Sequence, residues 1–292
     1  MARRASRILV RVGLGLLALV VVIVAVSVQR MEHPSFLTPE ARERHARFLA
    51  PGLTVVTPPG PGPFPTVLLI HGCGGLRGEQ EHNPIMDEYA ASAVRAGWAA
   101  AILDSYGPRH WEATWARRRV CTGARLRGLQ RAADVLAGID LLQHDARVDH
   151  RRLRIASWSH GGWAVGDLAT LHDPGDGSFT RTMADVEGMQ FTYPFCAFPS
   201  LAGRRAWTWK GDVRFVFAEK DTVQSMAGCQ HMIERARQGG SKVETELIPG
   251  VTHAFDERVK SSDTTFRFDP AATARAHAEF IAWLKSQPPP PR

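Results

Sequence analysis

The sequence predicts an α/β domain: a mostly parallel central sheet with helices on both faces, preceded by an N-terminal apolar segment. Two observations carry the sheet. From about residue 51 onward short apolar runs alternate with longer amphipathic ones, as strands and their covering helices do. The connections between successive strand-like runs are long enough for crossovers, so neighbouring strands can run parallel. A third observation is size, since 292 residues with 44% hydrophobic content suffice to bury one large core.

Taken in order, Val67 to Ile70 reads as a buried strand, Met86 to Arg95 as a helix, Trp98 to Leu103 as a strand and Leu126 to His144 as a long helix. Arg154 to Ser157 is the next strand, and Gly162 to Leu171 the helix after it. Beyond a polar loop rich in Gly and Asp come strands near Gln190 to Tyr193 and Val213 to Phe217, then a helix over Val223 to Arg237. Val243 to Ile248 is the last strand and Ala271 to Lys285 the closing helix. No internal repeat occurs. The domain therefore spans residues 51–286, after a linker-like segment at 30–50 and before a proline-rich tail at 287–292.

Residues 1–29 read as a targeting segment. A basic start is followed by an uncharged apolar run from Val12 to Val28, apolar on all faces and so unlike an amphipathic core helix. The run is at the short end for a membrane span, and Ala25-Val26-Ser27 offers small residues to a signal peptidase, so a signal anchor and a cleaved signal peptide both remain open. Either way the arginines before the run send the domain across the membrane, to a periplasmic or extracellular face. Membrane contact would run through residues 8–28 if they are retained.

The formal charge of +7 shrinks on inspection: Arg3, Arg4, Arg7 and Arg11 have no acidic partner in the first 27 residues, and 7 − 4 leaves +3. The remaining arginines are scattered or mixed with acids and no nucleic-acid motif accompanies them, which argues against RNA or DNA as a partner.

Candidate chemistry begins at Ser157-Trp-Ser159-His-Gly161, between a strand and a helix. This fits the nucleophile elbow G-x-S-x-G except that serine replaces the first glycine; small flanks are needed because strand and helix backbones approach closely at such a turn. His71-Gly-Cys-Gly-Gly75 follows the first buried strand and is a loop that can offer backbone N–H groups to an oxyanion. Asp221, in Ala218-Glu-Lys-Asp-Thr222, and His253, in Val251-Thr-His-Ala-Phe255, each follow a strand. The chain order Ser159, Asp221, His253 places all three at C-terminal strand ends, where α/β sheets build their sites. Ser159 is then the nucleophile, His253 its base and Asp221 the orienting acid, with the N–H groups of Cys73 and His160 as the oxyanion donors. His231 and His277 fall inside helices and read as surface residues, and Asp212 precedes its strand. No cofactor is required, and no His/Cys cluster has metal-ligand spacing.

HGCGG, DSYGPR, SWSHGG, EKD and GVTHAFD stand in the order and positions of the dienelactone hydrolase family, within the α/β-hydrolase superfamily, and the chain resembles that family from about Pro51 to Lys285. The resemblance implies an α/β-hydrolase fold and hydrolysis of a small-molecule carboxylic ester or lactone. The best-known members carry a cysteine nucleophile where Ser159 stands, so the dienelactone substrate itself is not implied. An acyltransferase would use the same residues, and a non-catalytic exported binding protein could keep the fold.

Cys73, Cys121, Cys196 and Cys229 lie in a domain expected in an oxidising compartment. Cys196 and Cys229 follow neighbouring strand ends, and Cys121 can reach the same edge. At least one disulfide among these three is expected, with Cys73 left free so that its loop keeps an oxyanion-binding shape. The segments Arg109 to Cys121 and His172 to Glu187 are expected to shape the substrate pocket.

Overall fold

The structure, a computed structural model, describes residues 11–22, 34–77, 82–259 and 264–286. Seven strands form one sheet in the order β1-β3-β2-β4-β5-β6-β7. They are β1 (Leu53–Val56), β2 (Phe64–Ile70), β3 (Ala99–Leu103), β4 (Val148–Trp158), β5 (Val186–Thr192), β6 (Asp212–Ala218) and β7 (Lys242–Ile248). All adjacent pairs run parallel except β1 and β3, which are antiparallel. The central strands are buried on both faces, which is why Val67–Ile70 reads as an uninterrupted apolar run.

On one face lie α3 (Ile85–Arg95) and α9 (Pro270–Lys285), whose Tyr89, Ala93, Phe280 and Leu284 pack over Val67, Leu69 and Trp158. On the other lie α5 (Gly128–Gln143), α6 (His160–Leu168) and α8 (Gln230–Gln238), packed over Leu68, Ile155 and Phe215. The mostly parallel sheet with helices on both faces is therefore as expected.

Four elements depart from expectation. Edge strand β1 is short and half exposed between two proline-containing turns, so it lacks a readable alternation. The segment taken for a linker, residues 30–50, contains α2 (Pro39–Leu49), a polar helix with a narrow apolar stripe. Thr38 caps it by accepting from Ala41 N–H, and Pro39 occupies the first turn, a start signal that stands in the sequence. Arg42 on α2 pairs with Asp140 on α5, and fully buried Leu49 packs against Ala137. The other two, α4 (Ala113–Cys121) and α7 (Ser178–Ala184), fall where loops were expected.

At the N-terminus, residues 11–22 form a helix (α1) whose side chains are exposed throughout. Among the described residues no helix is long and apolar enough to cross a membrane. The rest of the apolar run, with Ala25-Val26-Ser27, and the proline-rich tail at 287–292 lie outside the described residues.

Because Leu49 is fully buried, Leu49→Ala should destabilise the domain by about 2–4 kcal/mol in urea unfolding. A loss below about 0.5 kcal/mol, as at an exposed site, would mean that α2 is not part of the cooperative fold.

Candidate active site

Strand β4 ends at Trp158 and α6 begins at His160, which makes Ser159 a one-residue corner between them. Its φ of 50° and ψ of −114° lie outside the usual regions for a residue with a side chain. The surroundings hold it there: Ser159 N–H donates to Thr192 O at 3.0 Å, and Phe195 N–H donates to Ser159 O at 3.1 Å. At position 161 a Cβ would stand 2.4 Å from the Ile70 carbonyl oxygen, and at 162 it would stand 2.6 Å from Pro194 Cβ, so both positions require glycine. Ser157, which replaces the elbow's first glycine, is fully buried and donates its hydroxyl to Gln190 O at 2.9 Å. One hydrogen bond to β5 thus absorbs the departure from the motif.

Ser159 Oγ lies 2.9 Å from His253 Nε2, and His253 Nδ1 lies 2.7 Å from Asp221 Oδ2. A carboxylate only accepts, so Nδ1 carries the proton and Nε2 is left to accept from the serine. Asp221 lies in the turn after β6, and its Oδ1 accepts from Val223 N–H at 2.7 Å and Gln224 N–H at 3.0 Å. That local turn occupies the backbone expected to open a helix at Val223, and α8 begins at Gln230 instead. His253 follows β7, buried between the rings of Tyr193 and Phe266. Three residues on, buried Asp256 accepts from Tyr89 Oη at 2.8 Å, Trp158 Nε1 at 3.2 Å and Tyr193 Oη. This carboxylate ties the histidine segment to the end of β4.

Gly72 runs directly past the corner, since a Cβ on it would lie 3.5 Å from Ser159 Cβ. The next residue, Cys73, lines one cavity of about 100 Å³ together with Ser159 and His253. His160 is the first residue of α6, so its N–H has no carbonyl one turn back to bond. Helix α4 walls the cavity through Ala113, Thr114 and Arg117, as expected of the Arg109 to Cys121 segment.

Residues 52–287 match the dienelactone hydrolase family. The chain belongs to that family. Among solved structures it is similar to the dienelactone hydrolase of Anabaena variabilis, with 19% identity and a TM-score of 0.57 over 79% of this chain and 89% of that one. It is also similar to a thermophilic esterase of Thermogutta terrifontis, with 13% identity and a TM-score of 0.56 over 81% and 91%. A dienelactone hydrolase-like promiscuous phosphotriesterase from metagenomic libraries shows 16% identity and a TM-score of 0.60 over 80% and 98%. At these identities the likeness concerns the fold. No curated protein matches the chain.

Within this dienelactone hydrolase fold the cysteines form Cys73–Cys121 and Cys196–Cys229 bridges, with Cα separations of 5.1 Å and 5.2 Å. The second meets the expectation of at least one bridge among Cys121, Cys196 and Cys229. The expectation that Cys73 stays free is overturned: the bridge engages only its Sγ and leaves the backbone N–H, so keeping the loop's shape and forming a disulfide do not conflict. The segment His172 to Glu187 also differs from expectation, because it lines a separate groove with Thr208 and Lys210. Asp173 accepts from the N–H groups of Gly175, Gly177 and Thr180, which folds the segment onto itself. His231 is exposed as expected, whereas His277 is mostly buried beside Ser92.

Behind the cavity the structure holds charges that sequence reading passed over. Arg131 on α5 is fully buried, and burial lowers its pKa. Burial and then the charge of Arg131 hold the pKa of both His71 and His160 well below the usual imidazole value, so both rings are neutral. In the sequence Arg131 is one arginine in a helix with mixed neighbours, and no pattern marks it as internal.

On α6, Asp167 accepts from Trp163 Nε1 at 2.9 Å and Leu201 N–H at 2.7 Å, and burial pushes its pKa up to about 7. The folded protein therefore holds this proton more tightly than the unfolded chain, whose Asp titrates near 3.9. Its contribution is fully present below about pH 4 and is lost as pH rises through about 7. Asp167→Asn should flatten the fall in Tm between pH 4.5 and pH 8 relative to the parent; parallel pH profiles would show that burial of this carboxyl carries no linkage.

Proposed function

We propose that the protein is a serine hydrolase of carboxylic esters or lactones that works through an acyl-enzyme on Ser159. The observation that supports it most is the unbroken relay from Ser159 Oγ through His253 to Asp221, at 2.9 Å and 2.7 Å, opening onto the cavity. Membership of the dienelactone hydrolase family supports hydrolysis as the reaction.

His253 Nε2 takes the Ser159 proton as Oγ attacks the ester carbonyl. Asp221 keeps the imidazole in the accepting tautomer and stabilises the imidazolium that forms. The developing oxyanion is received by the backbone N–H groups of Cys73 and His160. Collapse of the tetrahedral intermediate returns the proton from Nε2 to the leaving alkoxide, and the acyl group stays on Oγ. Water, deprotonated by the same histidine, then attacks the acyl-enzyme, and the acid departs with Ser159 regenerated. Every proton passes through His253, so no cofactor is required. Residues 1–29 act as a targeting segment in this reading, and the two disulfides fit a domain that works outside the cytoplasm.

Ser159→Ala should leave a folded protein with ester hydrolysis reduced about 1000-fold or more. His253→Ala should cost about as much, and the double variant little more than either alone, because the residues act as one unit. Retained turnover in Ser159→Ala, or losses that multiply in the double variant, would contradict the relay.

Since Cys73 serves as an oxyanion donor while bonded to Cys121, releasing it should loosen that donor. Cys121→Ser, or brief treatment with a dithiol, should lower kcat about 10-fold or more with little change in KM. Cys229→Ser, which opens the other bridge, should lower Tm more than kcat. Equal kinetic effects of the two substitutions would refute a special role for the first bridge.

A further inference from the structure

The buried guanidinium of Arg131 touches both halves of the region assigned to the oxyanion. Its Nε donates to Ser105 Oγ at 3.2 Å, its Nη1 donates to His160 Nδ1 at 3.2 Å, and its Nη2 lies 3.0 Å from His71 Nδ1. His160 carries one proposed donor N–H. His71 opens the loop that carries the other, with its Nδ1 2.6 Å from Gly72 O and its Nε2 accepting from Ser105 N–H at 3.3 Å. The loop after β2, the loop after β3 and the first residue of α6 therefore meet at one side chain. Arg131 is wholly removed from solvent, and the carboxylate nearest along its helix, Asp134, is already engaged by Arg109 at 2.8 Å and His45 at 2.7 Å. Removing so large a cation from water is costly and needs a compensating arrangement.

We propose that Arg131 is a positioning residue for ester hydrolysis: it fixes the spacing of the Cys73 and His160 N–H donors by its hydrogen bonds to His160 Nδ1 and Ser105 Oγ, the latter on the loop whose Ser105 N–H holds His71 Nε2, and by packing against the His71 ring, and its charge favours an oxyanion between them. This rests on the serine-hydrolase reading above. It follows that Arg131 acts on the transition state more than on bound substrate, since an oxyanion exists only after attack.

The test compares the parent, Arg131→Met, Arg131→Lys and Ser105→Ala for steady-state ester hydrolysis and for inhibition by an alkyl trifluoromethyl ketone, which adds to a serine and places an oxyanion in the hole. Arg131→Met should lower kcat about 30-fold or more with KM within about twofold, and should weaken the ketone by a similar factor. Arg131→Lys, which keeps the charge without the fork, should recover part of both losses. Ser105→Ala, which removes only the Nε anchor, should give a smaller loss of the same kind. The last two variants also carry the test if Arg131→Met fails to fold, with unchanged kcat and ketone affinity in both then overturning the inference. Near-parental kcat and ketone affinity in a folded Arg131→Met, or a fall in Tm with neither kinetic quantity moved, would overturn it as well. Ser159→Ala, assayed alongside, separates the two levels: its retained turnover would sink the hydrolase reading itself, whereas its inactivity beside a fully active Arg131→Met would sink only the role of Arg131.

Discussion

The start of α6 presses so closely on the end of β2 that the chain between β4 and α6 has one residue in which to turn. A Cβ at position 161 would meet two carbonyl oxygens of β2 and its following loop, at 2.4 Å from Ile70 O and 2.8 Å from His71 O. That contact fixes the helix axis, and the corner at Ser159 takes up the angle in an otherwise unfavourable conformation. The rest of the site depends on it. The same approach brings Gly72 against the serine, and the first N–H of the helix, which has no intrahelical carbonyl to bond, follows directly after it. A looser helix–strand contact would let the serine relax toward an ordinary turn and part company with His253.

Polar interactions frame this corner, and most of them are buried. Asp256 gathers the Tyr89, Trp158 and Tyr193 donors on one side, and Arg131 donates to Ser105 and His160 and packs against His71 on the other. Burial opposes ionisation of Asp134, yet His45 and Arg109 outweigh it and hold the pKa of this carboxyl below its usual value. Such networks are costly when half satisfied, which gives them the power to specify one arrangement of the loops they join. Two disulfides tie loops at the same end of the sheet, one joining the Cys73 loop to α4 and the other joining the segment after β5 to the start of α8.

The sheet and its main helices were legible because buried parallel strands and amphipathic helices leave strong local patterns, as in Val67–Ile70 and Ala271 to Lys285. That the side chains of Ser159, Asp221 and His253 meet was legible for a related reason: each sits just after a strand, so position in the pattern stood in for position in space. What escaped was long-range. The pairing of Cys73 with Cys121 depends on where α4 lies, and α4 is too polar to announce itself. The burial of Arg131 depends on two loops and the start of α6 meeting above α5, which no window of sequence records. Helix α2 is a different case, since Thr38 and Pro39 do signal a helix start and its polar surface masked the signal.

The central claim is that Ser159 Oγ is the atom that takes the acyl group, and it is tested most directly by covalent trapping. An alkyl fluorophosphonate transfers its phosphonyl group to an activated serine with loss of fluoride, and peptide mass mapping locates the adduct. One phosphonyl group on the peptide bearing Ser159, assigned to that residue by fragmentation and accumulating in step with the loss of ester hydrolysis, is the expected result. An adduct on Ser157 or elsewhere, or full hydrolysis by protein completely modified at Ser159, would contradict it.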